Sequence, residues 1–167
     1  MDTYIRAIEE VIHRWSREGI PPRWTLVEDL KKLIQLKKSL DVSSVMPVPF
    51  RLITATLDDG WGLGIEIIHH ACDVLGIHYI FLGLMKSANE IAQACESENP
   101  DAVGVTVLQD DTVEELLLLR RLLPVQTELF AGGPGIREFK PPAGVLILNN
   151  IIDFMSHFVG RVRSGKN

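Results

Sequence analysis

Asp58-Asp59-Gly60-Trp61-Gly62-Leu63-Gly64 gathers two aspartates and three glycines into seven residues. Such a stretch suits a loop that carries backbone close to a ligand. Glycine places no Cβ in the way, and aspartate favours both a turn and a helix start. Arg51 to Leu57 ahead of it reads as a strand. Behind it Ile65, Ile68, Cys72 and Leu75 recur at helical spacing until Gly76. A strand passing through such a loop into a helix presents unpaired N–H groups at the helix N-terminus. Two further stretches are of the same kind: Thr106-Val107-Leu108 at the end of an apolar run, and Gly132-Gly133 after another. The histidines stand elsewhere. His69 and His70 lie more than a turn into the helix, His78 begins the next strand, and His13 and His157 fall on outer helices. Cys72 and Cys95 sit inside predicted helices without metal-ligand spacing and read as buried thiols in a reducing compartment. No catalytic group and no protein metal ligand is assigned from these patterns.

The elements that must position these loops read as strands and helices in alternation from Phe50 onward. A strand at Ile77–Leu82 is followed by Ser87-Ala-Asn-Glu90, a capping-box pattern that opens a helix running to about Glu98. Ala102–Leu108 is an apolar strand suited to the centre of a sheet. Thr112-Val-Glu-Glu115 repeats the capping pattern before a helix that ends at Pro124. Val125–Phe130 and Val145–Leu148 are the fourth and fifth strands, and Ile151–Val162 is a closing helix. This order predicts an α/β, flavodoxin-like (Rossmann-like) doubly wound sheet of five parallel strands. Right-handed crossovers place the 58–64, 108–111 and 131–135 loops on one carboxyl edge, where ligands of open α/β sheets bind. Ahead of the sheet, Ile5, Ile8, Ile12 and Trp15 mark one amphipathic helix. Thr25-Leu-Val-Glu28 reads as the capping box of a second, with Leu26, Leu30 and Leu33 on its apolar face. The domain expectation is a two-helix segment and linker at 1–48, an α/β domain at 49–163 and a tail at 164–167.

Composition narrows the classes of function. Of 167 residues, 46% are hydrophobic and 23% charged, as in an ordinary globular protein able to bury a core. A net charge of -5 argues against a broad nucleic-acid surface. No apolar run approaches the roughly 20 residues of a membrane span, and no signal-peptide pattern opens the chain. The expected location is the cytoplasm, and the two N-terminal helices are expected to pack on the main domain or on a second copy, as in a homodimer.

Three of the motifs together resemble the B12-binding domain of corrinoid proteins, methionine synthases and cobalamin-dependent mutases. That family carries Asp-x-His-x-x-Gly, then Ser-x-Leu, then Gly-Gly at corresponding places in the fold. Asp59 and Gly64 match the first motif, Thr106 and Leu108 the second with Thr for Ser, and Gly132-Gly133 the third. The resemblance covers about residues 50–160. It implies a cobalamin or related corrinoid cofactor, held by Asp59, Gly60, Trp61, Gly62, Gly64, Thr106, Leu108, Gly132 and Gly133. It also implies a partner methyltransferase. Trp61 stands where the family's cobalt-ligating His would be, and an indole N–H has no lone pair for a metal. The resemblance therefore implies corrinoid binding without a protein His on cobalt.

The first functional expectation is a corrinoid-binding carrier or subunit in methyl transfer, non-catalytic by itself. Its main rival is a degenerate B12-like domain that serves sensing or protein interaction without a corrinoid. A phosphorylation-switch domain would use Asp58, Asp59 and Asp110 or Asp111, but Ala131 and Asn149-Asn150 replace its other expected residues. A dinucleotide-binding enzyme is disfavoured, because Gly60-x-Gly62-x-Gly64 has the wrong spacing.

Overall fold

The computed structural model describes residues 1–58, 63–109, 112–136, 140–141 and 143–165. Its elements run α1 (Asp2–Glu18), α2 (Arg23–Ser39), β1 (Arg51–Thr56), α3 (Leu63–Leu75), β2 (His78–Gly83), α4 (Ala88–Glu98), β3 (Ala102–Thr106), α5 (Val113–Leu122), β4 (Glu128–Gly132), β5 (Val145–Ile147) and α6 (Ile151–Ser164). The strands form a five-stranded parallel sheet in the order β2-β1-β3-β4-β5. This is the flavodoxin-like architecture that the alternation of strand and helix predicts. The chain divides into two compact units, one of Met1–Pro49, Ile67–His78 and Ile151–Asn167, the other of Phe50–Glu66 and Tyr79–Asn150.

The second unit holds most of the sheet. The central strands are largely apolar and buried along their length, as is usual for parallel strands. Ile53 and Ala55 of β1, Val103 and Val105 of β3, and Leu129 and Ala131 of β4 are buried together. Ala88, Ile91 and Cys95 of α4 and Leu116 and Leu119 of α5 pack into the same core. Register aligns Thr56 with Thr106 and Thr106 with Gly132, so β1, β3 and β4 end level with one another.

In the first unit the expected apolar stripes are buried: Ile5, Ile8, Ile12 and Trp15 on α1, and Leu26, Leu30 and Leu33 on α2. Two polar contacts fix their setting. Tyr4 Oη donates to the Val74 carbonyl over 2.8 Å. Asp29, itself buried, accepts from Trp15 Nε1 at 3.1 Å and Arg14 at 2.5 Å, so the indole N–H is satisfied. At the surface, Arg163 of α6 bridges Glu9 and Asp2 of α1.

Three local expectations need correction. The helix expected to open at a Thr25–Glu28 box starts at Arg23, with Pro22 at its N-cap and no side-chain cap bond. Proline has no N–H and its fixed φ suits a helix entrance, so it sets the boundary ahead of Thr25. The Thr112–Glu115 box is also absent: Thr112 occupies the N-cap of α5 without a side-chain cap bond. Glu115 instead accepts the Ala88 N–H at 2.5 Å, tying α5 to the start of α4. The fourth strand begins at Glu128 instead of Val125, because the Thr127 N–H turns back to the Pro124 carbonyl and leaves Val125 97% exposed. The Ser87–Glu90 box does form, with Ser87 accepting from the Glu90 N–H and Glu90 accepting from the Ser87 N–H.

Candidate functional site

The carboxyl edge is built by β1, β3 and β4 ending in register, each running directly into a loop. Backbone hydrogen bonding continues past the strand ends. Leu57 N–H donates to Thr106 O at 3.1 Å, Val107 N–H to Gly132 O at 2.8 Å, and Gly135 N–H to Val107 O at 3.0 Å. Thr56 is buried and uses its hydroxyl twice, donating to Asp58 O at 2.9 Å and accepting from Met85 N–H at 3.1 Å. Thr106 is half-buried in the middle of this row, and Leu108 is half-buried just beyond it.

Gly132 and Gly133 lie where the motif places them, and their surroundings are informative. A Cβ on Gly132 would stand 2.5 Å from the Leu148 carbonyl oxygen. Gly133 has φ +114°, and its Cβ would run into the Val107 carbonyl oxygen. Gly135 repeats the pattern against Leu108 and Gln109 backbone, at 2.7–2.8 Å. These glycines thus admit neighbouring backbone of the same chain. Gly64 differs, because a Cβ there would meet nothing within 4 Å among the described residues.

Asp58 is the residue whose importance the spacing did not disclose. It is 5% exposed and directs Oδ2 at the β3–α5 loop. That oxygen accepts from Leu108 N–H at 2.6 Å, Gln109 N–H at 3.1 Å and Thr112 Oγ1 at 3.2 Å. Thr112 Oγ1 also donates to Gln109 O at 2.7 Å, so its one proton is shared between two acceptors. Asp58 therefore holds the loop ahead of α5 through two backbone amides and the Thr112 hydroxyl. A carboxylate directly after a strand was the available signal, but the partner loop lies fifty residues on.

Asp59, Gly60, Trp61 and Gly62, together with Asp110 and Asp111, lie outside the described residues. Of the expected site, Gly64, Thr106, Leu108, Gly132 and Gly133 are described, and the last four share the ends of β3 and β4. Among the described residues, no group of three or more His, Cys, Asp and Glu is placed to hold a metal ion. His69 and His70 belong to α3, His78 opens β2, and His13 and His157 belong to α1 and α6. Both cysteines are buried and unpaired with each other. Burial pushes the Cys72 thiol well up and Cys95 up to about 11, which keeps both protonated. Among the described residues, no helix is long and apolar enough to cross a membrane.

Solved structures share this architecture. A cobalamin-binding protein from Desulfitobacterium hafniense DCB-2 superposes with a TM-score of 0.62 at 15% identity, over 92% of this chain and 68% of that one. The methanol:cobalamin methyltransferase complex MtaBC from Methanosarcina barkeri gives a TM-score of 0.68 at 15% identity, over 99% of this chain and 67% of that one. The Methanosarcina barkeri monomethylamine corrinoid protein gives 0.51 at 11% identity, over 92% and 77%. At these identities the likeness establishes the fold. No protein-family model matches the sequence, and no curated protein does.

Proposed function

We propose that this chain binds cobalamin or a related corrinoid at the carboxyl edge, as a carrier or subunit in corrinoid-dependent methyl transfer. The observation that carries this reading is the reach of the structural likeness. It extends over 99% of the chain in the methyltransferase complex, so it takes in α1 and α2 as well as the sheet. A flavodoxin-like sheet alone would not favour a corrinoid, since that fold serves many functions. The two helices ahead of it narrow the choice. They form part of a segment at 1–48, and we place the binding domain at 49–163.

The described residues fit such a group in a restricted sense. Gly64 leaves room for close approach, Thr106 offers a small hydroxyl, and Leu108 gives apolar contact. None of these can ligate cobalt. Asp59, Gly60, Trp61 and Gly62 complete the proposed site from sequence, and Gly132 and Gly133 shape its floor by admitting backbone. A bound corrinoid supplies a cobalt that accepts and passes on a methyl group. The chain's part is to hold and orient the ring, and a partner methyltransferase supplies the remaining catalytic groups. We place the protein in the cytoplasm, with α1 and α2 available for a homodimer contact.

The second reading is a degenerate B12-like module for sensing or protein interaction. The packing of Gly132, Gly133 and Gly135 against the chain's own backbone favours it, because those glycines are needed even without a ligand. Titration with hydroxocobalamin and methylcobalamin, followed by desalting, separates the two. Retained colour at about one equivalent supports the corrinoid reading, whose expected spectrum lacks histidine coordination. Trp61→His is expected to shift a cobalamin-loaded protein towards a histidine-coordinated spectrum. Complete loss of colour with both ligands leaves the module reading in its place.

A further inference from the structure

The segment Val107–Gln109 is held from two sides. On one side, Val107 bonds to Gly132 and Gly135 through its N–H and carbonyl, and the glycines let that backbone approach. On the other, Asp58 Oδ2 takes the N–H groups of Leu108 and Gln109. The second side depends on a single side-chain oxygen. Asp58 Oδ1 is buried with no hydrogen-bond partner among the described residues. A buried acceptor left unsatisfied is costly, so this carboxylate is an expensive way merely to cap two amides.

We infer that Asp58 is a positioning residue: by tying the loop after β1 to the loop after β3, it sets where Leu108 meets a corrinoid. This rests on the corrinoid reading above. Leu108 is half-buried, and its backbone N–H is consumed by Asp58, so the carboxylate fixes the main chain from which that side chain projects. Thr106 is held through the sheet ladder and does not need Asp58. Loss of the tie should therefore loosen the Leu108 side of the site and spare the strand.

The test compares wild type with Asp58→Ala and the near-isosteric Asp58→Asn, using amide hydrogen exchange and visible titration with hydroxocobalamin. Asp58→Ala should speed exchange at Leu108 and Gln109 by about tenfold or more, and raise the half-saturating hydroxocobalamin concentration by about tenfold. Asp58→Asn keeps one acceptor without the charge, and should fall between wild type and Asp58→Ala in both readouts. If Asp58→Ala does not fold, the shift in Asp58→Asn decides alone. Asp101→Ala is the control, since Asp101 accepts the Arg51 N–H at the start of β1 and should affect stability without moving half-saturation. Faster exchange with unchanged half-saturation would reduce Asp58 to a structural tie and overturn the inference, as would unchanged exchange. A wild-type protein that takes up no hydroxocobalamin overturns the corrinoid reading and this inference with it. Binding that persists unaltered in the variants overturns only the inference.

Discussion

Replacing Gly133 by alanine puts the internal role of the glycine pair to a quantitative test. Two costs add. With φ at +114°, an L-residue is strained by about 1–2 kcal/mol. The new methyl would also overlap the Val107 carbonyl oxygen and lie 3.0 Å from its carbon, and such overpacking typically costs about 1–3 kcal/mol. Val107 cannot simply retreat, because its N–H is bound to Gly132 and its carbonyl to Gly135. The sum is about 2–5 kcal/mol, a large share of the roughly 5–15 kcal/mol that stabilises an ordinary domain. Urea unfolding followed by circular dichroism should show the midpoint falling by about 1–2 M with the slope unchanged. A loss below about 0.5 kcal/mol would refute the reasoning. It would mean that the chain does not need this glycine for its own closure, and would return Gly133 to a role in making room for a ligand.

Gly64→Ala should behave in the opposite way. Among the described residues nothing stands within 4 Å of the added methyl, and the position lies in the first turn of α3, so unfolding measurements should show stability unchanged or raised by up to about 1 kcal/mol. If the corrinoid lies over this backbone, hydroxocobalamin affinity should nevertheless fall in a visible titration. Ser87→Ala removes the hydroxyl that accepts the Glu90 N–H at 3.2 Å and should cost about 1 kcal/mol, or about 2–4 °C in thermal unfolding. Acid should weaken the fold through Glu9, whose carboxyl is held below its ordinary value of 4.5 by the hydrogen bond from Arg163. Because its folded value is depressed, the stabilisation is present above that ordinary value and lost as pH falls through the folded one. Urea midpoints at about pH 7 and about pH 3.5 should differ less in Arg163→Ala than in wild type.

The fold was legible wherever a local pattern had a single physical outcome. The Ile5–Trp15 stripe is buried as its spacing requires, and Gly76 ends α3 with φ +73°. The Ser87 box forms because both of its partners lie within one turn. Patterns failed where a distant group competed for the same atoms. The Thr112 hydroxyl is drawn to Asp58 and Gln109, and the Glu115 carboxylate to the start of α4, so two residues that could cap one another locally do not. Val125, though β-branched, follows Pro124 into a turn. At the site, sequence order was enough to place Thr106, Leu108, Gly132 and Gly133 at neighbouring strand ends, since the register of a parallel sheet fixes them. It could not disclose that Asp58 reaches across to Leu108, because no periodicity links positions fifty residues apart.

A residue reports on a ligand only when the fold is indifferent to it. Gly132, Gly133 and Gly135 fail that condition, since an added Cβ would strike the chain's own backbone at each, and a binding defect there would be inseparable from a folding defect. Their presence is thus weak support for a corrinoid, even though Gly132 and Gly133 match the family's motif. Gly64 meets the condition, because no described residue stands within 4 Å of an added Cβ there. A helix-stabilising alanine that nonetheless weakened hydroxocobalamin uptake would be hard to explain without a ligand lying against that turn. The corrinoid reading therefore stands or falls more sharply at Gly64 than at the glycine pair.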